Sequence, residues 1–203
     1  MLISIEGIDG AGKNTLATAV RNAVDMPVKV VSFPRYEASI HAQLARAALY
    51  GEMGDLTDSA YAMATLFALD RFAVKEELLA AKESREVVIL DRYVASNAAY
   101  TKARTGDPAA VKWVYELEFE KLSLPKPDLQ VLVDTNLDVA RERAAAREEQ
   151  DESRTRDRYE RDAGLQAATF EAYAELAEMN WGSRWLRTSD PAVIIQAVQD
   201  LMA

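Results

Sequence analysis

Five short apolar runs punctuate the chain, at residues 2–6 (LISIE), 28–33 (VKVVSF), 87–91 (VVILD), 129–134 (LQVLVD) and, more weakly, 184–188 (RWLRT). Continuous apolar runs of this length mark strands buried on both faces of a parallel sheet. Between them, helical patterns cover 14–24, 39–49, 57–81, 93–105, 109–122, 137–147 and 159–179, and another covers 191–202. Strands alternating with helices predict an α/β fold built from βαβ units, a doubly wound parallel sheet of five strands. Right-handed crossovers then put helices on both faces. Ligands in such sheets lie beyond the carboxyl ends of the strands, so the polar residues after the first three runs become the candidates for chemistry.

After the first run the chain reads GIDGAGKNTL, with Gly7, Gly12 and Lys13 at the spacing of a phosphate-binding P-loop. In such a loop the backbone N–H groups of Gly7, Ile8, Asp9, Gly10, Ala11 and Gly12 wrap an anion, and the following helix adds its positive end. Lys13 supplies a mobile charge for the outer phosphates. An ordinary glycine-rich strand-to-helix turn is the alternative, and the flanking strand and helix patterns weigh against it. One position is irregular. The pattern wants Ser or Thr after the lysine, whereas this chain has Asn14, with Thr15 one residue later.

Composition narrows the partners. At 203 residues, with no repeat, low-complexity tract or linker pattern, the chain is expected to form a single domain over 1–203. A net charge of -9 argues against nucleic acid or an anionic membrane as the main partner, yet permits a locally positive cleft. No cysteine is present, which rules out disulfides and thiolate metal sites and suits a reducing cytosol. Glu6 interrupts the first apolar run and no basic segment precedes it, so no signal peptide is expected, and no run is long enough for a bilayer span. A cytoplasmic protein is the expectation.

Further clusters follow the strands. Phe33-Pro34-Arg35-Tyr36 comes after the second run; Phe67 and Arg71, four residues apart, share one helix face. An aromatic beside a planar cation suits stacking on a base and hydrogen bonding to its edge; a buried Phe with Arg71 paired to an acid is the competing reading. Asp91 ends the third run where a Walker-B carboxylate would hold magnesium, and Arg92 can fork onto a phosphate. Ser96, Asn97 and Tyr100 lie on the next helix, and the Asn amide suits a pyrimidine edge. The run 147–162 (REEQDESRTRDRYERD) is almost wholly charged: a solvated helix face, or a mobile loop, with Asp157 and Glu160 spaced as a helix N-cap. Two phosphate-binding centres, the P-loop and an arginine and tyrosine group beside an aromatic base slot, form the layout for phosphoryl transfer between nucleotides.

The motifs EGIDGAGK, FPRY, YAMATLFALDR, VVILDRYVASNAAY, LPKPD and DRYERD, with YAELAEMNWGSRW beyond them, resemble those of thymidylate kinases, the actinobacterial form most closely. The resemblance implies a P-loop NTPase fold of the nucleoside monophosphate kinase type, with a LID at about 147–158. It implies phosphorylation of dTMP to dTDP with ATP and magnesium, serving dTTP synthesis, and a homodimer packed through helices that include the apolar face of residues 61–69. By resemblance, residues Gly7 to Thr15 bind ATP. Asp9 lies near magnesium and the dTMP sugar and phosphate. Phe67 stacks on thymine, Arg71 donates to its O4, and Asn97 meets N3 with Ser96 nearby. Arg92 and Tyr36 hold the dTMP phosphate, Tyr100 presses on the sugar C2′, and Phe33 and Pro34 line the 5-methyl pocket. Asp157, Tyr159 and Glu160 close over the nucleotide and help organise the metal site.

No arginine lies between Ile8 and Ala11, so a lid cation is needed at the transferring phosphoryl group. Arg147 is the first candidate, with Arg154, Arg156 and Arg143 as others. The catalytic set is therefore Asp9, Lys13, Arg92 and Arg147, and Asn14 shifts the expected metal ligands to Asp9, Asp91 and Glu160. Competing assignments are another nucleoside monophosphate or deoxynucleoside kinase of the same fold, and a non-catalytic nucleotide-binding protein. A GTPase switch is disfavoured because no Asn-Lys-x-Asp motif occurs.

Overall fold

A computed structural model describes residues 1–24, 27–84, 86–150 and 157–202, without the side chains of 147–150 and 202. Among these residues five parallel strands form one sheet in the order β2-β3-β1-β4-β5. The strands are β1 (Leu2–Glu6), β2 (Val28–Ser32), β3 (Val87–Asp91), β4 (Leu129–Leu132) and β5 (Trp185–Arg187). Ile3 pairs with Ile89 on one side and Leu129 on the other, so β1 is central and all five of its residues are buried. The order reverses at β1, which opens a crevice at its carboxyl end between the crossovers to either side.

The helices are α1 (Lys13–Ala23), α2 (Ile40–Leu49), α3 (Ala60–Phe72), α4 (Lys75–Glu83), α5 (Val94–Thr105), α6 (Ala109–Tyr115), α7 (Leu137–Gln150), α8 (Arg158–Arg161), α9 (Ala163–Glu178) and α10 (Pro191–Met202). A main core of strand residues with α1, α5, α9 and α10 surrounds the sheet, joined by Tyr93 and Tyr173 at 0 % exposure. A second, small cluster of Ala45, Ala48, Leu49, Met63 and Tyr159 lies beside Phe67 and Tyr100. Among the described residues no helix is long and apolar enough to cross a membrane.

Three predicted helices differ from those observed. The span 57–81 divides into a 3-10 turn (Leu56–Asp58), α3 and α4. No Gly or Pro marks the break after Phe72. Instead the Asp70 carbonyl, which would accept from residue 74, takes Arg35 Nη2 at 2.9 Å, and Val74 N–H bonds back to Arg71 O. A tertiary donor thus replaces the helical one and the helix stops. The span 159–179 divides where Asp162 caps α9 by accepting from Leu165 N–H. The span 109–122 keeps seven α-helical residues, then widens into a π-helical segment, Glu116–Lys121.

Candidate functional site

The loop after β1 is shaped by glycine geometry. Gly10 has φ 82°, and a Cβ there would stand 1.9 Å from Ala140 O, so only glycine fits beneath α7. Gly12, at φ 98°, is the N-cap of α1 and offers no side-chain cap, leaving the helix's first N–H groups to the cleft. Lys13 Nζ donates to Gly7 O (3.1 Å) and Ile8 O (2.9 Å), lying back over its own loop. Burial, then the Arg92 charge, lower its pKa to about 8, and Asp9, Asp91 and Glu6 pull the other way. A phosphate entering the loop would favour the charged form.

This loop opens on a cleft of about 1170 Å³ lined by Asp9 to Leu16, Asp91, Arg92, residues after β4 and the start of α7 and α10. Asn14 and Thr15 line it and are exposed. Arg143 on α7 reaches it too: its Nη1 is 3.8 Å from the place of a Cβ on Gly12. Of Arg147 only the helical backbone is described, and Arg154 and Arg156 lie outside the described residues.

A second cavity, of about 220 Å³, is lined by Phe33, Pro34, Tyr36, Leu49, Phe67, Arg71, Ser96, Asn97, Tyr100, Asp157, Tyr159 and Glu160, together with Asp9 and Arg92. Every residue expected around dTMP therefore lines one pocket. The two cavities share Asp9, Phe33 and Arg92. Arg35 is absent from both. It grips Asp70 through its N–H (2.9 Å) and Nε (3.0 Å) and ties the Phe33–Tyr36 turn to α3.

At the junction Arg92 Nη2 pairs with Asp9 Oδ1 at 2.5 Å, and its guanidinium lies 5.6 Å from the Tyr100 ring centroid. Arg92 adopts φ 66°, a left-handed conformation uncommon outside glycine, held because its N–H extends the sheet by bonding Ile5 O. Burial disfavours the Asp9 carboxylate, but Arg92 and Lys13 outweigh it and hold Asp9 below the usual carboxylate range. Tyr100 also donates to Asp9 Oδ2 (3.0 Å), and its ring runs parallel to Tyr159 at 6.0 Å.

Behind Arg92 is a network that the sequence did not disclose. Arg92 Nη1 donates to Tyr173 OH (3.2 Å) and Ser96 Oγ (3.4 Å), and Ser96 donates to Glu6 Oε2 (2.7 Å). Glu6 is 0 % exposed, and burial raises its pKa against the pull of Ser96 and Arg92. Gln166 on α9 reaches Tyr159 O (3.0 Å) and Tyr100 OH (3.3 Å). Arg71 is buried and paired with Glu118 at 2.5 Å, which is the competing reading of the Phe67–Arg71 face and leaves Arg71 lining the pocket as well. In sequence, Glu118, Gln166 and Tyr173 look like members of ordinary amphipathic helices; only their burial marks them.

Asp157 and Glu160 form the N-cap anticipated from their spacing. Asp157 Oδ1 accepts from the Tyr159 and Glu160 N–H groups, and Glu160 Oε2 accepts from Asp157 N–H. Among the described residues no three His, Cys, Asp or Glu side chains group as a metal cage, so Asp9, Asp91 and Glu160 do not converge as one. Asp91 Oδ1, however, is buried without a hydrogen-bond partner, on a residue that lines the larger cleft. One or two carboxylates completed by substrate phosphates is the ordinary magnesium arrangement, and Asp91 with Asp9 fits it.

A family model described as "Thymidylate kinase" matches residues 5–188. The chain belongs to the thymidylate kinase family. It is 52% identical over 192 residues to the thymidylate kinase of Mycobacterium tuberculosis, covering 92% of this chain and 90% of that one. A probable thymidylate kinase of Archaeoglobus fulgidus is 33% identical over 154 residues, 72% of this chain and 70% of its own length. The solved thymidylate kinase of Candida albicans shares the fold at TM-score 0.72 and 22% identity, covering 99% of this chain and 90% of that chain. The P-loop NTPase fold and the family resemblance read from the motifs both hold.

Proposed function

We propose that this chain transfers the γ-phosphoryl group of ATP to the phosphate of dTMP, forming ADP and dTDP. The observation that carries the reading is the pair of cavities that meet at Asp9 and Arg92, one floored by a phosphate loop and the other walled by Phe67 and a polar edge. A donor in the first and a nucleoside monophosphate in the second bring a phosphate oxygen toward the γ-phosphorus. The new P–O bond forms as the bond to the ADP oxygen breaks, with no covalent enzyme intermediate.

The residues from Gly7 to Thr15 hold the donor's phosphates, with Lys13 on the outer ones. Arg92 and Tyr36 take the acceptor phosphate. Asp9 keeps Arg92 oriented, and the network of Tyr173, Ser96 and Glu6 holds its other edge. Phe67 stacks on thymine, with Arg71, Asn97 and Ser96 along its edge and Phe33 and Pro34 about the 5-methyl group; Tyr100 limits the sugar at C2′. Asp157, Tyr159 and Glu160 form the far wall. Magnesium held by Asp9 and Asp91, with Glu160 beyond, would neutralise charge on the transferring group. Arg143 joins Arg147, Arg154 and Arg156 as candidate cations there, on or beside a LID at about 147–158.

The same reading carries a single nucleoside monophosphate kinase-like domain over 1–203, a cytoplasmic location and a homodimer. An ADP-release assay with dTMP, dUMP, dCMP and thymidine tests the activity. dTMP should turn over best, and dUMP about 10–200-fold worse in kcat/KM, since one methyl group in an apolar pocket discriminates by that much. Thymidine as the preferred acceptor would contradict the phosphate role of Arg92 and point to a nucleoside kinase.

A further inference from the structure

Glu118 completes the base end of the smaller pocket without lining it. The residue is 0 % exposed and sits on the π-helical segment Glu116–Lys121 beside α3. Its carboxylate accepts a side-on fork from Arg71, Nε to Oε2 at 2.5 Å and Nη2 to Oε1 at 2.8 Å. Oε1 also accepts from Asn97 Nδ2 at 2.7 Å, and the same nitrogen donates to Ala64 O at 2.9 Å. Both hydrogens of the Asn97 amide are thereby used.

This arrangement fixes which atom of each side chain remains for the pocket. Were the Asn97 amide turned over, its oxygen would face a carboxylate oxygen and a carbonyl oxygen with no proton between them. Asn97 therefore keeps Oδ1, a pure acceptor, for the pocket it lines. Arg71, committed through Nε and Nη2, keeps Nη1, a pure donor.

We infer that Glu118 is a positioning and specificity-determining residue, which sets the hydrogen-bond polarity of the base slot through Arg71 and Asn97. One donor beside one acceptor complements a 4-oxopyrimidine, whose O4 accepts and whose N3–H donates. A 4-aminopyrimidine presents the reverse pattern, a donor at C4 and a bare N3, and meets like against like at both atoms. Buried polar groups left unpaired in this way give large discrimination, about 10⁴–10⁵ for sites built around a hydrogen bond. Glu118 holds this polarity from a π-helical turn, a feature that recurs at functional sites. The inference rests on the reading of the pocket as the dTMP site.

The test is kcat/KM for dTMP and dCMP in the wild-type enzyme and in Glu118→Gln, with ATP saturating. A Gln at this position offers one acceptor oxygen in place of two, so its NH₂ meets a donor of Arg71 in either orientation, and with that NH₂ in place of Oε1 only Ala64 O still holds the Asn97 amide. The dTMP-to-dCMP ratio should shrink at least tenfold, mainly through a higher KM for dTMP, with the Kd of ATP unchanged. A merely structural role would depress both substrates in proportion; an unchanged ratio in a folded variant overturns the inference. Glu118→Asp keeps the charge beside Arg71 but withdraws its oxygens, and serves if the Gln variant does not fold. Its Kd for dTMP should rise at least threefold with ATP binding unaltered, and an unaltered dTMP Kd also overturns the role. A wild-type enzyme that does not prefer dTMP to dCMP would instead contradict the dTMP reading of the pocket itself.

Discussion

The donor cleft and the acceptor pocket share a wall but recognise phosphate by different physics. In the donor cleft, recognition resides in the backbone: consecutive N–H groups, left-handed glycines and a helix start, all within residues 7–15. In the acceptor pocket it resides in side chains, gathered from the turns after β1, β2 and β3 and from α2, α3, α5 and α8. Two of those side chains are held by acids: Arg92 by Asp9 and Arg71 by Glu118. The donor loop rests on the main core, whereas the base end of the acceptor pocket leans on the small Ala45–Met63–Tyr159 cluster. Backbone recognition serves any nucleoside triphosphate; a particular base needs oriented side chains, and these need buried partners to orient them.

The comparison is sharpened most by substitutions at the junction. Arg92→Ala removes a charge-assisted phosphate contact and leaves Asp9 half-buried without its partner. Loss of kcat/KM for dTMP should reach about 10²–10³-fold, the range seen when one preorganised donor is deleted. Phe67→Leu keeps an apolar wall and should lose only about tenfold, because offset stacking contributes about 0.5–1.5 kcal/mol beyond area. Steady-state kinetics on both variants separate the two effects. Equal losses would mean that the acceptor phosphate lies elsewhere.

A smaller contrast lies within the donor loop. Asp9 is paired and lines both cavities, whereas Asn14 is exposed on one. At saturating magnesium Asp9→Asn should lose about 10²-fold in kcat and Asn14→Ala less than about threefold, since only the first removes a charge from the metal and Arg92. Comparable losses would place a metal ligand at Asn14 after all. The side-chain amide there would then do the work of the hydroxyl usual after a P-loop lysine.

How far each region could be read from the chain follows from the same contrast. The donor loop was legible because its parts are contiguous: Gly7, Gly12 and Lys13 form a fixed string, and apolar runs on either side set the context. The strands were legible to within two residues because β1, β3 and β4 are buried on both faces. The acceptor side chains were legible as clusters, Phe67 with Arg71, then Arg92, then Ser96 with Asn97 and Tyr100, while their separate parts around one nucleotide came from the family motifs. Their supports were not. Glu118, Gln166 and Tyr173 sit at positions where an amphipathic pattern allows either a solvent-facing or a buried side chain, and periodicity cannot tell these apart. The break after Phe72 was hidden for a similar reason: a distant arginine, Arg35, takes the Asp70 carbonyl and ends a helix that has no local stop signal.

A crystal structure with dTMP and a non-hydrolysable ATP analogue tests the two-cavity arrangement directly. Thymine should lie against Phe67 with its O4 toward Arg71 and its N3 toward Asn97. The dTMP phosphate should contact Arg92, and the analogue's terminal phosphate should lie in the loop of Gly7 to Lys13 with Asp9 between the two. A base seated in the larger cleft, or a dTMP phosphate beyond reach of Arg92, would contradict it.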